Sequence, residues 1–157
     1  MNWGDWILWG FVSTLLMTTL LAASQGLGWT RINIPFMLGT LVTPDRDRAE
    51  LVGFGLHLVN GWLFSLLYVA AFESLGGAGW WRGAVIGFLH AVFVLTVGMK
   101  LLPAVHSRMA SERHGASAAR LLEPPGFLGL NYGVQTPLWS LAAHLVYGTV
   151  LGAYYRV

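Results

Sequence analysis

Four stretches of this chain carry no charged side chain for long enough to cross a lipid bilayer. Nothing else in the sequence constrains the fold as strongly. Twenty-five residues separate Asp5 from Arg31, and 22 separate Glu50 from Glu73. Seventeen lie between Arg82 and Lys100, and 19 run from Pro137 to Tyr155. A membrane helix needs about 20 apolar residues, with roughly 17 as the floor. The spacing therefore predicts four transmembrane helices, near 6–26, 48–72, 83–103 and 137–155. Lys100, at the end of the shortest, can carry its ammonium to the interface on its alkyl stem. Only 10% of the residues are charged, against about 25% in a soluble domain. The expected fold class is an all-α membrane protein, a single transmembrane domain over 1–157.

With no cysteine in the chain, disulfides, iron–sulfur clusters and thiolate metal sites are excluded. A net charge of +2, scattered along the chain, gives no basis for nucleic-acid binding. The opening MNWGD is acidic and lacks the positive n-region of a cleavable signal. Orientation follows from where the cations fall. Arg31, Arg46, Arg48, Lys100, Arg108, Arg113 and Arg120 sit in the two long connections, and only Arg82 and Arg156 on the other side. The positive-inside rule then predicts both long connections in the cytoplasm and both termini in the periplasm. Trp3, Trp6 and Trp9 at one outer edge, and Trp80 and Trp81 at another, read as interfacial anchors.

HLVNGWLFSLLY (57–68) is followed 87 residues later by HLVYGTVLGAYY (144–155). Gly53, His57, Gly61 and Ser65 are spaced by four, and so are Ser140, His144, Gly148 and Gly152. At that spacing each quartet lies along one helix face, a packing face made of small residues and one histidine. Both helices are preceded by Thr-Pro, at Thr43-Pro44 and Thr136-Pro137, a helix-starting pair. PFMLG (35–39) answers PGFLG (125–129), and GFVS (10–13) answers GFLH (87–90). These matches predict a duplicated helical hairpin, 1–75 and 76–157, with a pseudo-two-fold axis along the membrane normal. His57 and His144 are expected at one depth.

The two histidine-led phrases resemble a family of small bacterial four-helix integral membrane proteins that end in a helix of the HLxYGxxLGxxY type. The matching positions are His57, Gly61, His144, Tyr147, Gly148 and Gly152. The resemblance implies a four-helix fold and a place in the bacterial inner membrane. It assigns no activity, and no catalytic residue is carried over.

Three histidines, His57, His90 and His144, fall within the predicted spans at heights that differ by about one turn. An ionisable residue inside a membrane is a functional hypothesis by default. One reading is structural, with each imidazole hydrogen-bonding between helices where glycines let backbones approach. Another is a metal ion or a bis-histidine haem b, with glycine leaving room for a flat macrocycle. A third is proton handling through Asn60, Ser13, Thr18 and Tyr147. No nucleophile–base–acid set is present, so the chain is not read as an enzyme. INIPFMLGTLVT (32–43) and its counterpart 121–136 are too apolar for free solution and too short to span, which predicts re-entrant or interfacial segments. HSRMASERHGASAAR (106–120) is polar and is expected exposed, with His106 and His114 solvated. Taken together, the expectation is a non-catalytic accessory or scaffold subunit of a larger membrane complex, such as a respiratory or photosynthetic one. Its partners are lipid, other subunits or itself. The alternative is a haem-, metal- or proton-handling protein built on the three histidines.

Overall fold

A computed structural model describes residues 1–111, 114–120 and 122–157. Arg113 of the charge count and Leu121 at the head of the second connection lie outside these. The chain runs α1 (Trp3–Gly26), α2 (Ile34–Thr40), α3 (Arg46–Ser74) and α4 (Trp80–Phe93). A π turn at Val94–Gly98 leads directly into α5 (Met99–Val105), so that Trp80–Val105 forms one continuous helix. A 3-10 segment (Phe127–Tyr132) then precedes α6 (Thr136–Tyr154).

Three helices are long and apolar enough to cross a membrane: Trp3–Gly26, Arg46–Ser74 and Trp80–Val105. Each overruns its predicted span, Trp3–Gly26 only at its start and the other two at both ends; at the starts of α1 and α3 a side-chain cap sets the boundary. Asn2 accepts from the Asp5 N–H, and Asp45 from the Arg48 N–H. Asp45 thus caps α3, not Thr43. α6 has the length, at 19 residues, but is not among these three. Its buried face carries Thr136, Ser140, His144 and Tyr147, and that polar load is what dilutes its apolar character.

α1 owes its position to a stripe of Gly10, Ser13, Thr14, Met17, Thr18, Leu21 and Ser24, all buried and spaced by three and four. This face is small and hydroxylated. Thr14 and Thr18 return their hydroxyl protons to the carbonyls four residues back, each at 2.7 Å, so neither leaves a donor stranded. α1 packs against α3 and α6, and α6 packs against α4, while α3 and α4 barely touch. The core between them holds Met17, Leu21, Tyr68, Phe72, Tyr147 and Leu151. A second cluster, Ile32, Met37, Met99, Met109 and Tyr132, fills the arginine-rich end.

The predicted packing faces are used up inside the chain. A methyl added at Gly53 would overlap the Pro35 carbonyl of α2, and one at Gly61 would meet the Thr14 side chain of α1. At Gly148 it would strike the Gly83 carbonyl, and at Gly152 the Gly79 carbonyl. Ser65 accepts from the Trp6 indole N–H at 2.8 Å, and Ser140 contributes its carbonyl to His144. These faces are therefore not free for a partner subunit. Of the tryptophans, Trp3, Trp80 and Trp81 are exposed. Trp6 and Trp9 are half-buried and stack on Trp62 of α3 (5.1 Å) and Tyr154 of α6 (4.3 Å), so both also join helices.

At the end away from the arginine-rich connections the two chain ends are clasped. Arg156 grips Asp5 through Nε to Oδ2 (2.8 Å) and Nη2 to Oδ1 (2.9 Å). Tyr155 donates to Glu73 at 2.5 Å and accepts from the Asn2 N–H at 2.9 Å. Asp5 is only 6% exposed, so removing its partner strands a carboxylate. Arg156→Ala is expected to lower the melting temperature in detergent, and Asp5→Asn on that background to restore part of it. If the double substitution melts no higher than Arg156→Ala, the clasp contributes nothing.

At the opposite end the expectation for His106 was wrong. It is 3% exposed, because it closes the C-terminus of α2. Its Nδ1 accepts the Arg108 N–H (3.1 Å), so Nε2–H donates to the Met37 carbonyl at 2.9 Å. The Arg108 guanidinium donates to the Thr40 carbonyl. Cationic and N–H donors at a helix C-terminus satisfy carbonyls that have no helical partner. His114 is exposed, as expected.

Candidate functional site

His57, His90 and His144 each have a partner within the chain. His57 and His144 are both 7% exposed, and His90 is half-buried. Because the only hydroxyl proton of Thr18 goes to the Thr14 carbonyl, Thr18 Oγ1 must accept from His57, 3.0 Å away. That places the proton of His57 on Nδ1. His144 Nδ1 sits 2.7 Å from the Ser140 carbonyl, a pure acceptor, so it too is Nδ1–H. The two histidines thus share a tautomer but not a partner. His57 bonds across to α1, and His144 bonds within α6. His90 Nδ1 meets the Tyr68 hydroxyl at 3.0 Å, and its ring stacks on Phe64 at 4.8 Å.

Tyr147 fixes the relative heights. Three residues beyond His144, it donates to the carbonyl of Gly61 at 2.6 Å, four residues beyond His57. Tyr155, past the end of α6, reaches Glu73 at the end of α3, so α3 and α6 run parallel. His57 and His144 therefore lie within about one helical turn, roughly 5.4 Å, of the same depth.

The arrangement brings His90 and His144 together and leaves His57 with Thr18. The rings of His90 and His144 meet edge to face, with centroids 4.7 Å apart, which leaves no gap for a macrocycle between them. The space over Gly61 is taken by Thr14, and that over Gly148 by the Gly83 backbone. The glycines serve close helix packing, and the residues do not fit a haem. Among the described residues no three His, Asp or Glu side chains converge to hold a metal ion. His57, His90 and His144 do not form the triad that a zinc or copper site requires. Nor do the hydrogen bonds link into a relay. Thr18–His57, Tyr68–His90, His144–Ser140 and Tyr147–Gly61 are separate pairs, and Asn60 joins none of them.

Thr14 and Tyr68 are working residues that sequence reasoning passed over, and His106 and Arg108 are two that it placed in an exposed segment. The first was legible, as part of the three-four stripe on α1. Tyr68 matches Tyr155 in the repeat, yet one serves His90 and the other Glu73. Outside the spans, burial pushes the Tyr132 hydroxyl up to about 12, with Glu123 adding to the rise and Arg31 opposing it. It stays neutral and donates to the Glu123 carbonyl at 2.6 Å.

If these pairings are structural, their loss is mild. His57→Asn is expected to cost on the order of 1 kcal/mol, the scale of one interhelical hydrogen bond in a membrane. His144→Asn should cost no more, since its bond closes on its own helix. Chemical unfolding in detergent checks both; abolition of the fold by either would assign these histidines a larger role.

No protein-family model matches the chain, and no curated protein or solved structure matches it.

Proposed function

We propose that this chain is a non-catalytic subunit of the bacterial inner membrane, an accessory or scaffold element that packs within a larger membrane complex such as a respiratory or photosynthetic one. One observation carries the reading: every membrane histidine is engaged by a partner within the chain, and none is turned toward a shared ligand position. What remains for recognition is the outer surface. Leu51, Leu63 and Leu67 of α3, and Val85, Leu89 and Phe93 of α4, are all more than half exposed.

In this reading α6 is the fourth span. Its 19 residues cover about 28 Å at 1.5 Å each, near the roughly 30 Å hydrocarbon core. Its polar side chains face other helices, so lipid meets an apolar surface. The duplicated hairpin belongs to the same proposal. Each small-residue face packs on the first helix of its own hairpin, Gly61 on Thr14 and Gly148 on Gly83. The resemblance in α3 and α6 to the small bacterial four-helix family supports the same architecture.

Single cysteines at Asn2 and Ser117 test the topology. An impermeant reagent applied from outside should label the first and not the second. Labelling of both from one side removes the fourth span. The subunit role is tested by purification in mild detergent from native membranes. Co-elution with a defined membrane partner and no Soret absorption is expected. Elution alone, with a Soret band or stoichiometric metal, overturns the proposal.

A further inference from the structure

Between α1, α2 and α3 lies a half-open groove of about 330 Å³. A second hollow of about 180 Å³ adjoins it toward the arginine-rich end, and the two share Gln25, Asn33 and Glu50. The two ends differ in chemistry. The deep end reaches Leu15 and Thr18. Thr18 spends its hydroxyl on the Thr14 carbonyl and His57, and Thr19 spends its own on the Leu15 carbonyl. The wall there offers no unspent hydroxyl, so it suits a hydrocarbon. From Leu15 to Gln25 is ten residues, about 15 Å, which is the depth of one leaflet.

The shallow end is lined by two guanidinium groups, each seated on an aromatic ring. Arg46 lies over Phe36 at 6.0 Å, and Arg31 over Tyr132 at 5.8 Å. Arg31 is further tied by a hydrogen bond to the Asn131 carbonyl. Their carboxylate partners, Glu50 and Glu123, stand at 3.4 and 3.5 Å, contacts long enough to yield to a better acceptor. Planar guanidinium pairs of this kind match a phosphate.

We propose that this groove binds one anionic phospholipid from the arginine-rich leaflet. Its phosphate sits between Arg31 and Arg46, and one acyl chain lies along α1 past Ala22 to Thr18. The inference rests on the membrane location of α1 and α3 and not on the subunit role, so the two fail separately. A free phosphate has the same head chemistry, but it leaves the apolar half of the groove unused.

Native mass spectrometry in mild detergent with added phosphatidylglycerol tests it. One tightly retained lipid per chain is expected. Arg31→Gln with Arg46→Gln should weaken retention about tenfold or more, the scale of losing charge-assisted bonds. Ala22→Trp, which keeps both arginines and fills the apolar half at an exposed position, should weaken it comparably. Phosphatidylglycerol should raise the melting temperature, and inorganic phosphate at equal concentration should not. Retention indifferent to Ala22→Trp and to the arginine pair means bulk annular lipid and overturns the proposal. An equal rise with inorganic phosphate means an anion site without a lipid, and overturns it as well. Should the arginine double variant fail to fold, Ala22→Trp and the phosphate comparison still decide.

Discussion

Gly148→Ala is expected to separate α4 from α6 and cost the protein most of its stability. Gly83 and Gly148 face each other so closely that a methyl on either overlaps the carbonyl oxygen of the other. Backbone atoms on both sides bar the way, so no rotamer change relieves the overlap. Overpacking a core against movable side chains costs about 1–3 kcal/mol, and this contact, backbone on backbone, should exceed that range. The His90–His144 contact depends on the same helix pairing and should go with it. Gly61→Leu should be milder, because the obstacle there is the Thr14 side chain. Gly55, in the middle of α3, has nothing within 4 Å of an added methyl. Gly55→Ala should therefore be neutral or stabilise by up to about 1 kcal/mol through helix propensity. Melting curves of the three variants in one detergent check the ranking. Equal melting temperatures for Gly148→Ala and Gly55→Ala would refute the close approach.

The second large effect is expected at Gly53. Here α2 crosses α3 with the Pro35 carbonyl against Gly53 and the Ala49 carbonyl against Gly39. Alanine at either glycine should release the seven-residue α2 from α3. A helix that short has no stability of its own, so residues 34–40 would lose their fold along with their docking. Met37 is 3% exposed and is covered from the other side by the His106 cap. A cysteine placed at Met37 should therefore resist a soluble maleimide in the parent and react many-fold faster when Gly53→Ala is added. The groove between α1, α2 and α3 would disappear in the same variant, taking the retained lipid with it. Protection of that cysteine in the Gly53→Ala background would show that α2 is held by its cap alone.

The sequence by itself determined the helical membrane class and where its three long apolar helices run, to within about three residues at each end. Bilayer thickness acts on any uninterrupted apolar run, so counting residues between charges is enough. It also determined which residues lie inward on α3 and α6, because a four-residue spacing assigns a helix face without reference to neighbours. Gly53, Gly61, Gly148 and Gly152 are all buried where that spacing places them. What covers those faces was settled only by the tertiary structure, since spacing names a surface and says nothing of its partner. His57 and His144 read alike along the chain, yet one meets a threonine on α1 and the other a carbonyl of its own helix. The difference arises because α1 and α4 bring unlike residues to similar faces, a hydroxyl stripe in one and glycines in the other. His106 looked like a loop residue for the same reason. Its burial depends on α2 folding back some 66–69 residues earlier in the chain to present the Met37 carbonyl and Thr40, a meeting of distant segments that no local pattern encodes.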